Sequence, residues 1–324
     1  MLAPLLHLVF ANEGVASGTF GMIFVTILQG LLPSFLMVIL GGLLRNRLSE
    51  NAWQGLDRLN FEILFPALIF VAASGRPIAL VDVARIGPAV WIILGAGMVL
   101  GYSARRYGPE RFLDFAGGWQ VAWRFNTAMG FIAVAILPDA DLGILAVAIG
   151  MGIPMANLLA VSALSRGGSL GFGATVKRIA LNPFLLASVS GVLVGLSGWT
   201  IPAPVLAPIE MLSQAAIPVA LISIGATMDW RALARLDRFS AILCGVRLVA
   251  LPALTFSACL ALDVDPSLAG VLVVFSALPT ASAAHVLASS FGADRKLVAT
   301  LIAQSTLLAA VTLPLWIAAV IIWV

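Results

Sequence analysis

The chain has 324 residues, of which 61% are hydrophobic and 10% charged, with a formal net charge of +3. Soluble domains carry roughly 25% charged residues, so a soluble fold is excluded: the chain has too little polar surface to cover so much apolar sequence. Spanning helices of about 20 apolar residues each would use the whole length and leave no stretch for a soluble catalytic domain.

Residues 1–21 lack a basic leader and contain Glu13, so they read as a segment lying on the membrane rather than a cleaved signal peptide. Apolar runs bounded by charge or by Pro and Gly then predict ten spans: 22–44, 56–75, 86–104, 114–137, 142–164, 179–198, 208–228, 239–262, 267–290 and 297–323. Helices apolar on every side are what a membrane core requires. The connections confirm the alternation. Arg45, Arg47 and Arg58 follow the first span, Arg105, Arg106 and Arg111 the third, and Arg166, Lys177 and Arg178 the fifth. Arg231, Arg235 and Arg238 follow the seventh, and Arg295 and Lys296 the ninth. That places 14 basic residues on one side against two, Arg76 and Arg85, on the other. Positive charge marks the cytoplasmic face, so both termini are expected outside the cytoplasm of a multi-pass protein of a bacterial inner membrane. Cys244 and Cys259 fall 15 positions apart in one predicted helix. That is about 22 Å, too far to bridge, so free thiols are expected.

Two halves resemble each other. Pro33 and Gly41 of the first span match Pro183 and Gly191 of the sixth at an offset of 150. Pro66 of the second span matches Pro218 of the seventh at an offset of 152. Five spans per repeat is odd, so the second repeat enters from the opposite face. The expectation is a pair of inverted repeats, 22–164 and 179–324, joined by a cytoplasmic linker at 165–178.

Polar groups at mid-membrane depth are costly and each needs a reason. The fourth span carries Gln120, Arg124, Asn126, Thr127 and Gly130; the ninth carries Ser276, Pro279, Thr280, Ser282 and His285. These spans hold equivalent places in the repeats, at an offset of 153 between Thr127 and Thr280. Proline removes a backbone donor, and backbone freed in this way survives only against protein or a water-filled cavity. Two interrupted helices crossing at the midplane would aim half-helix N-termini, which favour anions, at one point. Arg124 would add a positive charge there, and the bet is a site for a small organic anion. The bland alternatives are that Pro279 merely kinks a helix and that Arg124 pairs with Glu62 or Glu210. Asn126 and Thr127 would then simply bond a neighbouring helix. Asn157 and Gln304 either line the site or join helices. His285 reads as packing more than as a proton relay, and Arg247 as a side chain that snorkels to the boundary. No Asp or Glu is expected at the crossing, which leaves coupling to sodium or protons undetermined. Sodium would need only neutral oxygen ligands.

The segment from Gly30-Leu-Leu-Pro33 to Gly41-Gly-Leu-Leu-Arg45 resembles the opening helix of the auxin efflux carrier family of permeases. Leu64-Phe-Pro66-Ala-Leu-Ile-Phe70, Asn182-Pro183 and Pro218-Val-Ala-Leu-Ile-Ser-Ile-Gly225-Ala are similar to its inner motifs. Leu278-Pro279-Thr280, Phe291-Gly292-Ala-Asp294, Gln304-Ser-Thr306 and Leu313-Pro314-Leu are similar to its closing helices. The resemblance runs from about residue 24 to the C-terminus. It implies ten helices in two inverted five-helix repeats, with broken crossing helices 4 and 9, in the wider superfamily of bile-acid/sodium symporters. It further implies export or exchange of small organic acids. Carried over by position, Asn126 with Thr127 matches the fourth-helix break, Pro279 the ninth, and Asn157 a fifth-helix asparagine. The fourth span departs from the pattern: it has Gly130 and no proline between Asn126 and Leu137.

The expected protein is thus an all-α polytopic transporter working by alternating access on a small organic acid, with the lipid bilayer as its other partner. Its candidate site is Arg124, Asn126, Thr127, Gly130, Asn157, Pro279, Thr280, Ser282 and Gln304. No cofactor and no nucleic acid are implied, and a homodimer is compatible with the reading. A sodium-coupled organic anion symporter of the same fold is the runner-up. An intramembrane enzyme is disfavoured: His7 and His285 are far apart, and no paired aspartates or zinc motif exist.

Overall fold

The computed structural model describes residues 15–74, 80–137, 142–166, 177, 180–227, 230–231 and 235–323. Most of the expected membrane-surface segment at 1–21, most of the linker at 165–178, and Arg76 and Arg178 therefore lie outside the described residues. Every regular element among the described residues is helical.

Helix α1 runs Val15–Leu44, starting before the expected boundary at 22. Helices α2 (Glu50–Leu59) and α3 (Phe65–Ser74) join through a π turn, Asn60–Leu64. Helix α4 (Leu80–Gly101) runs into a 3-10 turn, Tyr102–Tyr107. Helix α5 (Phe112–Trp119) ends in a 3-10 turn, Gln120–Ala122, and α6 covers Thr127–Val134. Then follow α7 (Leu142–Arg166), α8 (Pro183–Ser197), α9 (Ala203–Thr227), α10 (Arg238–Gly245), a π turn (Val246–Ala250) and α11 (Leu251–Ala261). The chain closes with α12 (Pro266–Ala277), α13 (Ala283–Phe291) and α14 (Arg295–Trp323).

Five described helical stretches are long and apolar enough to cross a membrane: Ala84–Tyr107, Gly143–Arg166, Ala203–Thr227, Arg238–Ala261 and Arg295–Trp323. Leu43, Val99, Met211 and Leu262 stand fully outward. Such a surface is stable only where lipid is the solvent. The chain is a polytopic membrane protein.

Lipid tails give helices no hydrophobic reason to associate, so close backbone approach and polar bonds hold them together. Helices α1, α3, α8 and α9 form one panel, with α9 along α1 and α3, and α8 along α3. Gly41 and Gly225 set the α1–α9 crossing: a Cβ at Gly41 would strike the Ile222 carbonyl, and one at Gly225 the Val38 carbonyl. Gly225→Val is therefore expected to unseat α1, seen as loss of the monodisperse peak in size exclusion. Gly95→Ala, where a Cβ meets nothing, is expected to leave the peak unchanged. The second group pairs α4 with α7 and packs α11, α12 and α14 together.

Both π turns carry a buried polar residue. A π turn widens the helix by one residue and often marks a functional position. The Asn60 carboxamide bridges α9 around Pro218, its nitrogen facing the Ala216 carbonyl at 3.3 Å and its oxygen the Ala220 amide at 3.1 Å. Arg247, in the other π turn, is fully buried. It does not snorkel as the sequence suggested, because its partners lie inside the bundle.

Candidate functional site

The fourth and ninth predicted spans are each cut in two, and the cuts touch. After Ala122 the chain leaves helical geometry at Trp123 and re-enters it at Thr127, with Asn126 as the N-cap. The Asn126 Oδ1 accepts from the Met129 amide at 3.2 Å. This fourth-span break needs no proline, because the cap and its neighbours satisfy the freed backbone. In the ninth span α12 ends at Ala277, Leu278 is extended, and α13 begins at Ala283. The Asn126 amide donates to the Pro279 carbonyl at 2.8 Å, which pins one break to the other.

Several of the loosened backbone groups have partners, as a membrane interior demands. The Arg247 Nε donates to the Leu278 carbonyl at 2.7 Å and its Nη2 to the Phe275 carbonyl at 3.1 Å. Its cation thus sits at the negative end of α12. Ser305 Oγ on α14 accepts from the Thr280 amide at 3.0 Å. Gln120 Nε2 donates to the Ala284 carbonyl at 3.2 Å. Phe125 packs on Phe275 with centroids 4.5 Å apart, and Gly130 leaves room for Leu278, whose Cδ1 would lie 3.2 Å from an added Cβ.

A cavity of about 330 Å³ opens between the breaks and the panel, walled by α3, α7 and α9. Arg124, Asn126, Thr127, Asn157 and Ser282 line it, with Phe65, Leu68 and Leu221 supplying apolar wall. A second cavity of about 250 Å³ lies beyond the crossing, among α1, α9 and α14. Asn126, Leu221 and Ser282 line both, and Thr280 lines the second. Among the described residues, no Asp or Glu lines either one.

Arg124 is 4% exposed. Its Nη2 donates to Asn157 Oδ1 at 2.9 Å, and its Nε has no hydrogen-bond partner among the described residues. The acids considered as partners are elsewhere: Glu62 pairs with Arg58 at 2.8 Å on the surface, and Glu210 lines a separate groove beside Trp199. Pro279 offers its carbonyl to Asn126 and lines neither of these two cavities. Gln304 lines neither cavity; its Nε2 donates to the Arg235 carbonyl at 3.1 Å and ties α14 to the start of α10. Cys244 and Cys259 are free and buried.

Residues 172–317 match the family model described as "Membrane transport protein". An "Uncharacterized transporter" of Methanothermobacter thermautotrophicus is 28% identical over 303 residues, covering 91% of this chain and 99% of that protein. A "Putative malonate transporter" of Rhizobium meliloti is 25% identical over 302 residues, covering 88% of this chain and 93% of that protein. The chain is similar to these transporters along most of its length, and the family model matches its second half.

One cluster in the chain escaped the sequence reading. Asp57 of α2 is 2% exposed and His285 of α13 is fully buried. Ser223 of α9 and Ser289 of α13 donate to the Asp57 carboxylate at 2.5 and 3.1 Å. Asp57 stands out in no motif of the sequence; the packing of α9 and α13 buries it.

Proposed function

We propose that the chain is a secondary transporter carrying a small organic anion across a bacterial inner membrane by alternating access. The carrying observation is Arg124: a buried guanidinium lining the cavity, hydrogen-bonded to a neutral amide, with no carboxylate among the described cavity walls. A buried cation left in that state is costly, and a bound anion would offset the cost. Two half-helices, α6 and α13, begin at Asn126 and Ser282 on the same cavity, and helix N-termini favour negative charge. A volume of about 330 Å³ is near the small end of ligand pockets, about 300–1,000 Å³. That suits a short mono- or dicarboxylate, the class to which the malonate in the Rhizobium meliloti relative's name belongs.

The architecture behind this reading is ten spans in two inverted repeats, with the basic end of the bundle in the cytoplasm and both termini outside it. The reciprocal offsets of Pro33/Pro183 and Pro66/Pro218 support it, as do breaks in both the fourth and ninth spans. Alternating access follows if the crossing pair moves against the panel of α1, α3, α8 and α9, since the cavity lies on that boundary.

Uptake of labelled malonate into proteoliposomes, with competition by a panel of short carboxylates, tests the proposal. Saturable uptake inhibited by carboxylates and unaffected by neutral amides is expected; failure of every carboxylate to be moved or to compete would end it. Asn126→Asp sharpens the test. Aspartate caps a helix as well as asparagine does, so thermal stability is expected to hold. A carboxylate beside Arg124 would occupy the anion's place, and uptake is expected to fall to background. Asn126→Ala is expected to lower stability by about 1 kcal/mol through the lost cap, read as a lower melting temperature.

A further inference from the structure

Among the described residues, the Asp57 cluster is a buried group of titratable side chains that the anion site does not use. Its members come from four helices. His285 and Ser289 are four apart on α13 and so share a face. His285 Nε2 lies 3.5 Å from Asp57 Oδ2 and 3.5 Å from Ser223 Oγ. Arg295 of α14 brings its Nε to 3.7 Å from the same carboxylate, and its Nη1 to 3.6 Å from Glu50 at the start of α2. Glu50 is well exposed, with 76% of its side chain open. A polar path therefore leads from solvent at the basic end, through Arg295 and Asp57, to an imidazole with no exposure.

We propose that His285, held against Asp57, is a proton-binding site that fastens the crossing helix α13 to α2 and α9 and so controls opening at the basic end of the bundle. The proposal rests on reading the crossing pair as the moving element. The proton comes from water at the basic end and returns there; it sits on the imidazole, and no other bond is made or broken. With the proton aboard, the imidazolium adds a cation beside a carboxylate that already accepts two hydroxyl bonds, and separating α13 from α2 would strand opposite charges in the bundle. Without it, the neutral ring gives the carboxylate less to hold, and α13 parts from the panel more readily. The 3.5 Å contacts exceed a full-strength hydrogen bond of about 2.7–3.2 Å, as suits a contact that must be made and released.

Other charges do not compete for the ring. The nearest acid on α5, Asp114, accepts from the Asp294 amide at 2.8 Å. Glu62 of the π turn beside α2 turns outward to Arg58. Helix α9 contributes the Ser223 hydroxyl, and α14 contributes the Arg295 guanidinium. No described acid of α7 faces α13.

Amide hydrogen exchange in lipid nanodiscs, without any transported anion, tests the site independently of substrate. After correction for intrinsic rates, residues 283–291 are expected to be about fivefold better protected at about pH 5.5 than at about pH 7.5. His285→Gln is expected to remove that difference, and so is Asp57→Asn, which serves if the first variant does not assemble. A wild-type protein with equal protection at both values would overturn the proposal, as would a pH difference that survives in either assembled variant. If carboxylates are not transported at all, the anion reading fails while the exchange result stands on its own.

Discussion

Arg124→Gln is expected to abolish high-affinity binding of short carboxylates while the protein stays folded. Wild-type Arg124 has 4% exposure and donates to Asn157 at 2.9 Å. Glutamine keeps a donor of reduced reach for Asn157 and removes the buried charge. Weakening the bond to Asn157 costs about 0.5–1.5 kcal/mol, but release of the guanidinium's desolvation cost works the other way. The net change in melting temperature is therefore expected to be small. Binding is not compensated. A charge-assisted hydrogen bond contributes about 1.5–3 kcal/mol, so one lost bond to an anion weakens binding by about ten- to a hundredfold, and a bidentate pair by more. Arg124→Lys keeps the charge as a point and loses the fork, so intermediate affinity is expected. Calorimetric titration with malonate checks the series. Equal affinity in all three proteins would remove Arg124 from the site.

Arg247→Met is expected to have the largest effect on the fold. Arg247 closes the C-terminal end of α12 through the Leu278 and Phe275 carbonyls. Methionine fills the space with no donor. The Leu278 carbonyl would then lose its Arg247 donor, at about 1–3 kcal/mol, the Phe275 carbonyl would keep only the Leu278 amide at 3.4 Å, and the favourable charge at the helix end would go too. Loss of monodisperse protein, or a melting temperature well below wild type, is the expected result. Arg247→Lys restores one donor and is expected to fall between. A methionine variant that melts with wild type would show that the ninth-span break closes without this residue.

These two arginines illustrate the limit of sequence reading. Both are single charges in apolar runs, and hydropathy treats them alike. Arg124 was placed at the crossing because Asn126, Thr127 and Gly130 surround it and the ninth span repeats the polar pattern around Pro279. Arg247 had no such company, so snorkelling was the natural expectation. Its role depends on the π turn that rotates it inward and on the end of α12, some 28 to 31 residues later. Gln304 could either line the site or join helices by sequence; in the structure its Nε2 bonds the Arg235 carbonyl. The missing fourth-span proline cast doubt on that break, but a cap and one interhelical bond to Pro279 suffice to hold it.

The sequence alone determined that the chain lives in lipid, that it is helical throughout its apolar runs, and that the fourth and ninth runs carry polar groups that unbroken helices could not bury cheaply. Those properties are local: hydropathy, punctuation and charge are counted over windows of one span. The tertiary structure alone decided which polar groups meet. Asp57 and Ser289, 232 residues apart, become partners because α2 and α13 pack together, and no local pattern encodes that contact. A buried charge is stabilised by whatever the fold brings within a few ångströms, and in a membrane that choice belongs to helix packing.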